Sequence, residues 1–363
     1  MTHFAKRRTK LLRAVKRAGA DAILVTNVAN VTYLTGFTGD DSYLLVGDGL
    51  EVMLSDPRYS QQINEESPGL DMALRDPGTT LVSVAEKVIQ KARVKSLAVE
   101  AESMTVARHA QLSQALPKTQ LVASTGLVEA LREIKDAAEI QKIREAVRLA
   151  EKAFGVIRAG WCPGQTERWI AHELEHRIRG MGGEGCSFPP IVAGGARAAL
   201  PHAVPTGDPT EVNQILLIDW GATAGLYRSD LTRMLVTGKI SPKFERIYRV
   251  VLEAQERAIA AIEPGALMSD VDRVARSSIA EAGYGKRFGH GLGHGFGLEV
   301  HESPRLAATA NRPLKAGMVV TVEPGIYLPN WGGIRIEDDV LVTRDGHEVL
   351  SSLPKDLASC VVT

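Results

Sequence analysis

In the second half of the chain, apolar runs with the composition of buried strands stop on carboxylates. Ile215-Leu216-Leu217-Ile218 runs into Asp219, and Asp230 follows in the stretch Y-R-S-D-L-T-R. Met318-Val319-Val320-Thr321-Val322 runs into Glu323 before Pro324-Gly325, and Ile334-Arg335-Ile336 leads into Glu337, Asp338 and Asp339. Strands this apolar are interior elements, so the acids on and beside them leave water with them. A buried ionised carboxylate is very costly unless something positive neutralises it. A fold that accommodates four of them therefore needs a cationic partner at the centre, and a metal centre supplies one.

Between these runs, Phe288 to Glu302 reads F-G-H-G-L-G-H-G-F-G-L-E-V-H-E, with His290, His294 and His301 set among five glycines. Glycine lets a backbone approach a ligand or another strand closely, so this is not core-building sequence. Imidazole binds borderline metals and also moves protons near neutral pH, so the histidines alone leave both roles open. The neighbouring acids favour the metal.

The segments I-D-W-G-A, Y-R-S-D-L-T-R, H-G-L-G-H-G-F-G-L-E-V-H-E-S-P-R, T-V-E-P-G-I-Y and G-I-R-I-E-D-D-V resemble, in order, the metal-site blocks of the pita-bread metallopeptidases. Within that superfamily they are most similar to the Xaa-Pro peptidases, aminopeptidase P and prolidase. In the first half, Y-L-T-G-F-T-G and L-S-D-P-R-Y are similar to segments of the N-terminal domain of the same enzymes and their creatinase relatives. The resemblance covers nearly the whole chain. It implies an α/β (α+β) protein: a creatinase-type α/β domain over residues 1–126, then a pita-bread catalytic domain over 127–363.

The same resemblance implies Asp219, Asp230, His294, Glu323 and Glu337 as ligands of two divalent ions, manganese first, with cobalt, zinc or iron as alternatives. Asp230 and Glu337 would bridge, Asp219 would complete one ion, and His294 with Glu323 the other. A hydroxide bridging the ions would be the nucleophile, so no side-chain nucleophile is required, and the chain has no G-x-S-x-G elbow. His202, His290 and His301 match the family's further histidines, and Glu323 would shuttle a proton to the leaving nitrogen. Tyr327, Arg305 and Arg335 are the candidate substrate-binding residues. Arg305 suits a bidentate clamp on a terminal carboxylate, and Arg335 suits an orienting role toward Glu337 and Asp338. The expected substrates are short proline-containing peptides. A creatinase-like hydrolase of a small amide or guanidino compound, or a catalytically silent peptide-binding module, are the alternatives. Both kinds of relative lose metal ligands, whereas this chain keeps all five.

Composition narrows the partners. With 43 basic and 43 acidic residues the chain has no global field for nucleic acid or an anionic membrane. The basic run Lys6-Arg7-Arg8 reads as the solvated face of a helix that buries Leu11, Leu12 and Val15. No apolar run approaches the ~20 residues of a membrane span, and Met1-Thr2-His3-Phe4 lacks a signal-peptide core. Cys162, Cys186 and Cys360 are odd in number and dispersed, as expected in a reducing cytoplasm. The creatinase-type domain further implies a homodimer.

Local patterns divide the rest. A helix from Phe4 to about Gly19 precedes a buried strand at Ala22–Thr26, and Gly47-Asp48-Gly49 carries hairpin turn chemistry. Asp136-Ala137-Ala138-Glu139 is a capping box that opens a helix, as does Ser241-Pro242. A further helix is expected over Thr166 to Arg179. Phe188 to Asp208 reads as a long irregular stretch carrying His202, where function is expected.

Overall fold

The computed structural model describes residues 2–362. The chain divides into two compact units, Met1–Arg132 and Glu133–Thr363.

The first unit is built on a six-stranded sheet. Its spatial order is Asp71–Leu74, Leu50–Ser55, Ser42–Gly47, Ala22–Val25, Ser96–Glu100, Gln120–Ser124. Ala22–Val25 is antiparallel to Ser42–Gly47 and parallel to Ser96–Glu100. The hairpin closes on Asp48-Gly49 with Gly47 opposite Leu50, and Gly49 has φ +62°, which a side chain would resist. The helix His3–Arg17 buries Leu11 and Val15, but Arg7 and Arg8 are buried with them, contrary to a solvated basic face. Their guanidiniums have work inside: Arg7 donates to the Tyr33 carbonyl and Arg8 to Leu34, both in the last turn of the helix Val28–Thr35. Carbonyls in the last turn of a helix run out of intrahelical donors, and a buried cation suits them. The segment after 126 also packs with this unit. Arg132 donates to Asn30, Asn30 donates to Glu129, and the Tyr33 hydroxyl donates to the Leu131 carbonyl. The unit closes at Arg132.

In the second unit, two helix pairs cover two sheets. The helix Ala137–Gly160 starts at the capping box: the Asp136 carboxylate accepts the amides of Ala138 and Glu139, and Glu139 accepts the amide of Asp136. With Glu167–Gly180 it packs Leu149, Phe154, Ile170 and Leu174 against Leu216, Ile218, Trp220 and Leu235. Trp220 stacks on Phe154 at a ring separation of 4.4 Å. The receiving sheet runs Val361–Val362, Leu231–Thr237, Ile215–Trp220, Ile191–Gly194.

The second pair is Pro242–Ala260, capped by Ser241, and Met268–Glu281. They pack Phe244, Ile247, Val251 and Ile279 with Met234, Val320, Val322, Ile334 and Ile336. The five-stranded sheet here runs Glu302–Leu306, Gly293–Gly295, Val319–Val322, Asp338–Val342, His347–Val349, and a separate ribbon pairs Gly325–Leu328 with Gly332–Arg335. Met268–Glu281 is not marked by a capping residue in the sequence. Leu267 makes no side-chain cap, and the first amides instead bond the distant carbonyls of Arg312 and Ala310. The stretch 188–208 is only partly irregular: Ile191–Gly194 is a strand that pairs with Ile215–Trp220, and Gly195–Ala199 is a 3-10 turn. Among the described residues, no helix is long and apolar enough to cross a membrane.

Candidate active site

Strand alternation puts the acids on one side. Along Ile215–Trp220, Leu216, Ile218 and Trp220 face the first helix pair, while Leu217 faces the second core and Asp219 follows on that face. Thr232 lies directly opposite Asp219 in the ladder, and Asp230 precedes the same strand. Val320 and Val322 point into the second core with Glu323 just beyond them. Gly293 and Gly295 let the His294 backbone lie against its neighbours: a methyl on Gly293 would overlap the Thr321 carbonyl, and one on Gly295 the Ser303 carbonyl.

The result is a cavity of about 550 Å³ lined by Asp219, Asp230, His294, Glu323 and Glu337, with His202, His290, His301, Arg305 and Arg335 around them. One oxygen from each of Asp219, Asp230 and Glu337 falls within 4.8 Å of the others. The His294 Nε2 stands 3.4 Å from Glu323 Oε1 and 3.7 Å from Asp230 Oδ2. Its Nδ1 donates to the Gly295 carbonyl at 3.0 Å, which leaves the Nε2 lone pair facing the acids. Burial holds the His294 imidazolium pKa down to about 4, so the ring is neutral and able to ligate.

Burial also drives the carboxyls the other way. Glu323 is raised to about 8. Asp230 and Glu337 lie well above the usual carboxylate range, from burial first and then from the neighbouring acids. Asp219 is raised by burial against the opposing Arg335 charge. A cation among them would reverse this cost. One atom makes the same point: Asp219 Oδ1 is buried with no hydrogen-bond partner, while Oδ2 accepts from Arg335. An orphaned carboxylate oxygen, clustered carboxylate oxygens and a neutral imidazole form the donor set of a hard or borderline divalent ion. The cavity lining contains no serine or cysteine that could act as a nucleophile.

Supporting groups hold this constellation. The Thr232 hydroxyl donates to Glu337 Oε2 at 2.6 Å and accepts from Arg335 Nε at 3.1 Å. The Thr321 hydroxyl donates to Glu323 at 3.1 Å and accepts the His294 amide at 3.0 Å. Sequence reasoning passed over both threonines, although each sits two residues from a site acid along its strand, on the same face. Arg335 does not orient Asp338. It is buried and committed to Asp219, Thr232 and the Tyr327 hydroxyl, whereas Asp338 pairs with Arg233 and Lys355. Tyr327 in turn bonds His290 Nε2 at 2.9 Å, whose Nδ1 donates to the Gly291 carbonyl. His301 packs edge-on to His294 with ring centroids 4.4 Å apart.

Fold and site together define a metallopeptidase. Residues 141–344 match the model of metallopeptidase family M24, and residues 7–134 match the creatinase/prolidase N-terminal domain. The chain belongs to family M24, and its fold is a creatinase-type domain followed by a pita-bread domain, as expected. It is 38% identical to the uncharacterized peptidase YqhT of Bacillus subtilis over 96% of this chain and 98% of that one. The Xaa-Pro dipeptidase from Bacillus anthracis superposes with a TM-score of 0.95 at 37% identity, covering 98% of this chain and 99% of the other. The X-Pro aminopeptidase from Thermotoga maritima gives 0.88 at 37% identity, covering 95% and 99%. Family membership implies divalent metal ions for the cluster just described.

Proposed function

We propose that this chain is an exopeptidase that hydrolyses Xaa-Pro bonds with two divalent ions, manganese in the first instance. The observation that carries the reading is the shared position of Asp230. Its carboxylate belongs both to the trio with Asp219 and Glu337 and to the contact with His294 that also includes Glu323. A carboxylate common to two donor groups suits two ions rather than one. Asp219 would serve one ion, His294 and Glu323 the other, with Asp230 and Glu337 between. When bound, the ions supply Lewis acidity toward the scissile carbonyl and a nucleophile from water at neutral pH.

The chain's own groups do the rest. Arg335 neutralises Asp219, and Thr232 and Thr321 hold Glu337 and Glu323 in place. His202 and His301, on the cavity wall, orient the substrate carbonyl as hydrogen-bond donors. Glu323 takes the proton given up by the attacking water and passes it to the proline nitrogen, which must leave as a neutral amine. Arg305, on the same wall, clamps the carboxylate of a proline that ends the peptide.

The solved relatives include both a dipeptidase and an aminopeptidase at the same identity, so substrate length must be tested directly. Metal-stripped protein and protein restored with Mn²⁺, Co²⁺ or Zn²⁺ are assayed on Ala-Pro, Ala-Pro-Ala and Ala-Ala-Ala. Cleavage of Ala-Pro that requires metal, and that Arg305→Ala reduces at least tenfold, supports the carboxylate clamp. Preference for Ala-Pro-Ala would transfer the reading to an aminopeptidase. Failure to cleave any of the three when fully metallated would sink it.

A further inference from the structure

The helix Met268–Glu281 holds the segment that carries His290 through two side chains one turn apart. Asp272 is fully buried. Its Oδ1 accepts the Leu292 amide at 3.1 Å and Arg276 Nη2 at 2.8 Å, and its Oδ2 accepts Arg276 Nε at 2.9 Å. Thus fixed, the guanidinium donates from Nη1 to the Phe288 carbonyl at 3.1 Å and from Nη2 to the His290 carbonyl at 2.8 Å. It also lies over the Phe288 ring, 4.3 Å from its centroid. The backbone 288–292 belongs to no helix or strand. Three of its polar groups end on this one ion pair.

We infer that Asp272 and Arg276 are positioning residues for His290. They fix the main chain on both sides of the imidazole, while the Tyr327 hydroxyl holds the ring at Nε2. A pair that served stability alone would be satisfied by its own two bonds. Here the remaining donors reach the loop that presents a cavity-lining histidine. Arginine is required because only its planar fork can bond a carboxylate and two carbonyls together. Neither side chain hydrogen-bonds a proposed metal ligand, so ion binding should be separable from loop position.

The inference rests on the peptidase reading for its kinetic arm but not for its exchange arm. In Arg276→Gln, kcat/KM for whichever peptide the wild type cleaves best falls by roughly ten- to a hundredfold. The Mn²⁺ dissociation constant, read by calorimetry, stays within threefold. Hydrogen exchange followed by mass spectrometry shows the 288–293 amides at least tenfold faster, with Val319–Val322 unchanged. Arg276→Lys keeps the ion pair, reaches at most one carbonyl and falls between the two. Wild-type exchange in Arg276→Gln with kcat/KM within twofold overturns the inference. So does faster exchange spread over the whole second unit with parallel loss of Mn²⁺ affinity, since the pair would then be a general stabiliser. A wild type inactive on every peptide defeats the functional reading alone and leaves the exchange result to decide the positioning role.

Discussion

Thr232→Val removes one oxygen from a fully buried side chain and nearly keeps its shape. That oxygen donates to Glu337 Oε2 and accepts from Arg335 Nε, so two hydrogen bonds to ionisable groups are lost together. At about 1.5–3 kcal/mol each, the loss is roughly 3–6 kcal/mol. The added methyl returns about 0.8 kcal/mol of apolar burial. A net cost of about 2–5 kcal/mol to the metal-stripped protein follows from those figures. Ligand binding suffers too: the hydroxyl stabilises the ionised form of Glu337, the form a metal requires. Mn²⁺ affinity should fall about ten- to a hundredfold. The assay is convenient because all four tryptophans, Trp161, Trp169, Trp220 and Trp331, lie in the second unit, so urea unfolding by fluorescence reports on that unit alone. Thr232→Ser is the control, keeping the oxygen and binding Mn²⁺ within threefold of wild type. A valine variant with wild-type Mn²⁺ affinity and a loss below about 1 kcal/mol would refute the reasoning, since it would leave the hydroxyl no role.

Two further outcomes test the site from other directions. Between pH 6.5 and 8, metal-stripped protein should lose stability as pH rises, because Glu323, held near 8, keeps its proton in the folded state while the unfolded chain has released it. Glu323 alone contributes a slope of about 1.4 kcal/mol per unit below its folded pKa. Asp230 and Glu337 act in the same direction. Toward pH 6.5 and below, the opposite term grows, because His290 and His294, both depressed to about 4, charge in the unfolded chain around 6.5 while staying neutral in the folded one. Urea midpoints at pH 6.5, 7.2 and 8 measure the trend, which Mn²⁺ should abolish; stability that rises over this window contradicts it. Gly293→Ala should cost about 1–3 kcal/mol or more, because the new methyl meets the Thr321 carbonyl, and should weaken Mn²⁺ binding through the adjacent His294. Gly289→Ala meets nothing within 4 Å and should stay within about 0.5 kcal/mol of wild type; equal effects at the two positions would exclude the steric account.

How much of this was legible in the sequence depended on the range of the interaction. Asp136 with Glu139, Ser241 with Pro242, and the Asp48-Gly49 turn are local devices, and each forms as its spacing requires. The acids at the strand ends were legible because an apolar run stopping on a charge is improbable without a partner. Arg7 and Arg8 misled, because a helical period separates faces but does not show that a neighbouring helix C-terminus will occupy the polar one. The strand Ile191–Gly194 was missed because it is four residues long and gets its stability from pairing with Ile215–Trp220. The Asp272 and Arg276 brace was invisible because its own helix carried no start signal, its cap being supplied by carbonyls some forty residues away.

The three consecutive acids Glu337, Asp338 and Asp339 show how register divides chemistry that sequence presents as one block. In an extended chain, residues 337 and 339 share a face and 338 takes the other. Asp338 therefore points away from the ion site, where burial raises its pKa but Arg233 and Lys355 outweigh it and hold it far below the usual range. Asp339, opposite Thr321 in the ladder, accepts the Asp230 amide at 3.1 Å and so sets the backbone that aims the shared carboxylate. Glu337 itself joins Asp219 and Asp230 in the carboxylate cluster. Arg233 joins the two faces, donating to the Asp338 carboxylate and to the Glu337 carbonyl. Shifting the strand by one residue would put Asp338 in the carboxylate cluster and turn Glu337 toward Arg233. The arginine thus fixes the register at the point where a slip would exchange an acid paired with Arg233 and Lys355 for one in the carboxylate cluster.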